Sequence, residues 1–146
     1  METANKKYII TMVASQEAGG EKDRTKFTAP GEFFEENGVK IVRYKEFSTE
    51  SKTNDDYYLN TIKIFNDSKV SVAREGSHTT RLFLEKDKLH RCHFRTPMGD
   101  LMFDVMCTRL NDSLNDKGGE LDVAYNLDIN GHALSRNRFV ITVLEQ

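Results

Sequence analysis

The chain has 146 residues, 38% apolar and 30% charged, with a formal net charge of −2. That length fits one domain around one core, the balance excludes a disordered chain, and the charge gives no global field drawing the protein to nucleic acid or an anionic membrane. Residues 1–7 are polar without a secretory h-region, no stretch is apolar enough to cross a bilayer, and Cys92 and Cys107 make no disulfide framework, so a cytoplasmic protein with reduced thiols is expected.

Sustained i, i+3, i+4 patterns are missing, whereas alternation with period two recurs between turn signals. In chain order it predicts about ten strands: 7–16, 24–35, 39–47, 57–65, 69–75, 78–86, 88–96, 101–110, 120–129 and 132–145. The polar segments 17–23, 48–56 and 111–119 read as longer loops, and any helix is expected to be short and confined to 111–117. Asn37-Gly38 is a strong two-residue hairpin signal, because both central residues need positive φ. A turn there sets Glu35 against Lys40, Phe34 against Ile41, Phe33 against Val42 and Glu32 against Arg43. Asn66-Asp67-Ser68, Gly76-Ser77 and Lys86-Asp87-Lys88 are weaker turn signals.

A turn centred on Met98-Gly99 sets Phe94 against Phe103, Cys92 against Val105 and His90 against Cys107. Leu121, Val123, Tyr125, Leu127 and Ile129 then alternate with polar or small residues, as in a strand with one buried face. From the turn at Asn130-Gly131, Leu127 meets Leu134, but a regular continuation sets Phe139 against Asp122. A bulge near 135–138 would repair this. Phe94, Phe103, Val105, Val123, Leu127 and Ile141 are the expected core. A long meander leaves two exposed edges unless it closes, so residues 1–146 are expected to form a single all-β domain, an antiparallel up-and-down barrel.

The search for catalytic motifs is negative: there is no phosphate-binding glycine loop, nucleophile elbow, H-E-x-x-H or paired C-x-x-C. The glycine pairs at 19–20 and 118–119 read as turn material. His90, Cys92 and Cys107 would share a face, but the cysteines read as small apolar fillers, and no metal or cofactor is expected. More informative are Arg74, His78, Arg81, His90, Arg91, His93 and Arg95, a local excess of cationic side chains within three predicted strands. They read either as a solvated face paired with Glu75, Glu85, Asp87 and Asp104, or as an anion site. The candidate ligand-binding residues are Arg81, Arg91, His93 and Arg95, with Phe83, Tyr125, Met102 and Met106 as apolar lining.

Several segments carry a resemblance: Gly31-Glu32-Phe33-Phe34, Arg74-Glu75-Gly76, Phe83, Phe94-Arg95-Thr96-Pro97-Met98-Gly99, Thr108-Arg109-Leu110, Gly118-Gly119-Glu120-Leu121, Tyr125 to Gly131, and Asn137. Together they resemble the YwiB-like family, small bacterial proteins of unknown function with a calycin-like barrel. The resemblance implies an up-and-down barrel similar to lipocalins and implies no activity. The chain departs from secreted lipocalins in having no Trp. Two functions are expected to compete: a non-enzymatic barrel binding a small amphipathic or anionic ligand, and an interaction or structural module with a filled barrel. Neither a nucleic acid nor a membrane is an expected partner.

Overall fold

Alternation becomes ten antiparallel strands in the computed structural model: β1 (Tyr8–Ala18), β2 (Glu21–Glu36), β3 (Val39–Phe47), β4 (Tyr57–Asn66), β5 (Lys69–Glu75), β6 (Thr80–Glu85), β7 (Leu89–Thr96), β8 (Gly99–Asp112), β9 (Gly118–Ile129) and β10 (His132–Glu145). The structure describes residues 7–47, 57–66, 68–77, 79–97, 99–129 and 131–146, and for residues 93–96 the backbone only. The expected loop 48–56 and His78 lie outside the described residues.

The strands form one sheet in the order β6-β5-β4-β3-β2-β1-β10-β9-β8-β7. Each strand pairs with its sequence neighbours, except that β1 pairs with β10 and no ladder joins β6 to β7. The result is a nearly closed up-and-down barrel whose seam lies between β6 and β7. We call upper the end carrying Gly19-Gly20 and Gly76-Ser77, and lower the end carrying Asn37-Gly38 and residues 113–117.

Most registers follow from turn chemistry. Asn37 (φ 54°) and Gly38 (φ 80°) have the left-handed pair of angles that the hairpin needs. Glu32 pairs with Arg43, Phe33 with Val42, Phe34 with Ile41 and Glu35 with Lys40, as expected. Four expectations need correction. The segment 17–23 is not a longer loop: β1 and β2 continue to a tight turn at Gly19-Gly20. The loop expected over 111–119 is shorter, with β8 running to Asp112 and β9 starting at Gly118, and no helix occurs there. Residues 113–117 instead form a turn closed by mutual Asn115–Gly118 backbone hydrogen bonds, 2.8 and 2.9 Å. The β7–β8 register is displaced by two residues, with Thr96 opposite Gly99 and Cys92 opposite Phe103. A slip of two keeps every side chain on its face. The fourth concerns residues 86–88, which do not close a β6–β7 hairpin. Lys86 N–H donates to Ser68 O and Asp87 N–H to Cys107 O, so the chain crosses to β5 and β8 instead.

The bulge expected in β10 is present, between Ala133 and Ser135, and it brings Phe139 opposite Val123. Its extra residue, Leu134, is exposed, which puts the bulge just ahead of the expected stretch. The core fills the barrel's lower and middle parts, with Tyr8, Ile10, Val42, Ile62, Val70, Leu84, Leu121 and Val143 buried from seven strands. Of the predicted core, Phe103, Val105, Val123 and Ile141 are buried and Leu127 is partly buried against them. The side chain of Phe94 lies outside the described residues. The seam is held by polar contacts instead of a ladder. Glu85 Oε1 lies 3.0 Å from His90 Nε2, Lys88 Nζ lies 3.3 Å from Glu85 Oε2, and the Phe83 and His90 rings meet edge to face.

Candidate functional site: an amphipathic cup at the upper end

Strand alternation sends Met12, Ala14, Val72, Leu82, Tyr125 and Phe139 into the barrel above the filled core. They come from five strands and, with polar neighbours including Thr25 and Asn137, line a cavity of about 310 Å³. Ala14 leaves space where a larger residue would extend the core upward. Burial pushes the Tyr125 phenol up to about 12, with Cys92 adding to the shift, so it is a neutral hydroxyl in this wall.

One inward position above Val72 on β5 stands Arg74. Its guanidinium grips Glu46 of β3 with two bonds, Nε to Oε1 and Nη2 to Oε2, both 3.2 Å. Asn60 of β4, between them in the sheet, donates from Nδ2 to Glu46 Oε1 at 3.1 Å. The Tyr58 ring lies 3.7 Å from the Arg74 guanidinium carbon. Gly76 makes this stack possible, since a Cβ there would come within 2.6 Å of the Tyr58 ring. The Tyr58 hydroxyl lies 3.0 Å from Ser77 Oγ. In Arg74-Glu75-Gly76, Arg74 therefore faces inward, Glu75 lies outside against Arg81, and Gly76 makes room for the aromatic platform.

Partial burial raises the Glu46 pKa, but bonds from Arg74 and Asn60 and the guanidinium charge outweigh it, leaving the carboxyl below its ordinary value. Buried Tyr44 beside them is shifted upward, first by burial and then by Glu46. Because Glu46 is more acidic folded than unfolded, the pair stabilises above the ordinary carboxylate range and loses that contribution as pH falls through the lowered pKa. Glu46→Gln should lower the melting temperature at neutral pH, by an amount matching about 1 kcal/mol or less because the pair is part-exposed. The gap from the parent should shrink steadily on acidification below pH ~4. A gap independent of pH would show that the pair is not the cause.

Of the candidate ligand-binding cations, the structure places the side chains of Arg81 and Arg91. Arg91 lies on the outer face, 68% exposed, with Nε 3.1 Å from Asp104 Oδ1. Arg81 is equally exposed and reaches Glu75 across 3.4 Å. The two do not meet, since β6 and β7 do not pair. His93 and Arg95 stand opposite Met102 and Asp100, and their side chains lie outside the described residues. Of the proposed apolar lining, Phe83 and Met102 are on the surface and Tyr125 alone lines the cup. His90 serves the seam, and no group of three His, Cys, Asp or Glu side chains among the described residues could hold a metal ion. Burial raises the Cys107 thiol pKa, as suits a core filler. Sequence reasoning missed Glu46, Tyr58 and Asn60. The signal available was the β4–β5 turn at residues 66–68, which sets Asn60 opposite Arg74.

A second concavity, about 520 Å³, lies where β2 and β3 separate above the Gly31–Tyr44 pair, lined by Phe27, Tyr44, Phe47 and Leu59 among others. Pro30 has no N–H to continue a ladder there. At Gly31 a Cβ would come within 2.7 Å of Arg43 O and Ile10 Cγ1.

The profile of the family described as Domain of unknown function (DUF1934) matches residues 10–141. The chain belongs to the DUF1934 family. Its fold is similar to that in the crystal structure of ywiB protein from Bacillus subtilis, with a TM-score of 0.81, 13% identity, and coverage of 97% of this chain and 92% of that one. That likeness concerns the fold alone. No curated protein matches the chain. The resemblance read from the motifs thus holds for family and architecture. Several residues of the segments that carry the resemblance have visible structural tasks here, notably Gly31, Arg74 and Gly76. No helix of the described residues is long and apolar enough to cross a membrane.

Proposed function

We propose that this DUF1934 protein is a non-enzymatic, calycin-like carrier or sensor, cytoplasmic, that takes one small amphipathic molecule into the upper cup. The observation that carries this reading is the cavity of about 310 Å³ walled by inward side chains of five strands, with Arg74, paired to Glu46, one inward position above Val72 of that wall. Its volume is at the small end for ligand pockets, so the ligand is a compact molecule with a short apolar body. Arg74 uses Nε and Nη2 on Glu46, and its Nη1 remains for an acceptor such as a carboxylate.

The test is titration with octanoate and octanol, followed by calorimetry, on the parent, on two cup-filling variants (Ala14→Leu and Val72→Phe) and on Arg74→Met. One-site binding should be lost in both filled variants, and Arg74→Met should weaken octanoate more than octanol. Unchanged binding in both folded filled variants, or no binding of either probe to the parent, would overturn the reading. The competing reading, an interaction or structural module, is favoured by the filled lower part of the barrel. It predicts that no small amphiphile binds.

A further inference from the structure

The outer wall carries a basic groove that adjoins the cup and shares Ser15, Gln16, Asp23, Asn137 and Arg138 with its lining. Two adjacent rows of residues run across β2, β1, β10, β9 and β8. One row reads Arg24, Ser15, Arg138, Ala124 and Arg109. The next reads Lys22, Glu17, Arg136, Asn126 and Met106. The small Ser15 and Ala124 alternate with the long cations of the first row. Consequently the floor is low, and Lys22, Arg24, Arg136 and Arg138 wall a depression of about 490 Å³.

The charges there are unequally matched. Asp122, almost fully buried, receives Arg109 Nε at 2.9 Å and Arg138 Nε and Nη2 at 2.9 and 2.8 Å. This fixes two guanidinium groups in place and leaves Arg138 Nη1 and both Arg109 Nη groups without a hydrogen-bond partner among the described residues. Lys22, Arg24 and Arg136 are exposed, and their charged groups have no partner among the described residues. Glu17 and Asp23 are the carboxylates that line the same depression. Strands are ~4.8 Å apart, so Arg24, Arg138 and Arg109 rise from the sheet at intervals of about 10 Å. Long side chains on that spacing suit an elongated multivalent anion better than a single small one. Among the described residues no aromatic ring lines the groove, so bases would find no stacking platform and the phosphates would carry the interaction.

We propose that this groove binds a run of phosphates, supplied by a short polyphosphate chain or by a nucleic-acid backbone. The net charge of −2 removes long-range attraction, and a local cationic row acts at contact distance instead.

The experiment measures fluorescence anisotropy of a labelled single-stranded oligonucleotide, with inorganic tripolyphosphate as competitor, from 50 to 200 mM salt. Three proteins are compared: the parent, Arg24→Gln with Arg136→Gln, and a control losing equal charge elsewhere, Lys63→Gln with Lys117→Gln. Arg24 and Arg136 make no side-chain hydrogen bond or ion pair among the described residues, so their loss should leave the melting temperature unchanged. Their loss should weaken binding about tenfold or more and flatten the salt dependence, while the control binds like the parent. Tripolyphosphate should displace the oligonucleotide if phosphates suffice. Three results would overturn the proposal: no binding of either anion to the parent, equal weakening in the control, or an oligonucleotide that tripolyphosphate cannot displace. The affinity of tripolyphosphate, read by calorimetry, against that of the oligonucleotide identifies which source of phosphates the groove prefers.

Discussion

Gly118→Ala should be among the most destabilising single substitutions in the barrel, lowering stability by about 3–5 kcal/mol. Two independent costs combine. Gly118 has φ of +116°, a conformation that L residues rarely adopt. In addition, a Cβ there would approach Val143 O to 2.2 Å, where β9 starts beside the end of β10. The obstacle is backbone in a ladder, not a flexible side chain, so it cannot swing aside. Gly131 is the natural comparison. Its φ is +80°, but nothing lies within 4 Å of the added atom, so Gly131→Ala should cost only about 1 kcal/mol of strain. Urea unfolding of both variants checks the ranking. Equal midpoints would mean that the close approach at Gly118 contributes nothing. A domain of this size has only ~5–15 kcal/mol of stability, so Gly118→Ala could leave an appreciable unfolded population.

Ile141→Ala should cost about 2–5 kcal/mol. Ile141 is fully buried on β10, the strand that closes the barrel, with Met12 of β1 on one side and Leu121 of β9 on the other. Truncation would remove apolar contact on both sides and leave a void that two hydrogen-bonded ladders prevent from collapsing. Leu144, three residues on, is 59% exposed on the outer face, and Leu144→Ala should lie within about 0.5 kcal/mol of the parent. Leu127, partly buried near the upper end, should fall between them. Equilibrium unfolding with an unchanged denaturant slope is the required measurement. A similar loss for Ile141→Ala and Leu144→Ala would contradict the face assignment of β10.

Local chemistry made much of this barrel legible. The ten strands follow from alternation, and the β2–β3 register follows from Asn37-Gly38, because a two-residue turn leaves no freedom in which residues meet. The need for a bulge in β10 could also be deduced, since a regular ladder would have set Phe139 against Asp122. The glycine pairs were less legible. Gly19-Gly20 allowed β1 and β2 to run on as a polar hairpin where polarity alone suggested a loop. At Gly118-Gly119 the requirement comes from Val143 and Ser113, backbone neighbours remote or looped back in sequence.

The candidate site was least legible, for a definite reason. Alternation separates the residues of a strand into two faces without saying which face curves inward or which strands face one another across the barrel. Arg74 and Arg81 lie close together in the sequence, yet one turns inward beside Glu46 and the other turns outward to Glu75. The seam obeys the same limit. Residues 86–88 look like a hairpin turn, but closure draws them to Ser68 and Cys107, and β6 and β7 stay unpaired. Short-range stereochemistry, in the sequence itself, thus determined the strands, the hairpin turns and the pairing that those turns impose. The inward face, the seam, the cup and the gathering of Lys22, Arg24, Arg109, Arg136 and Arg138 on one wall were decided only by tertiary closure, because each depends on contacts between strands far apart in the chain.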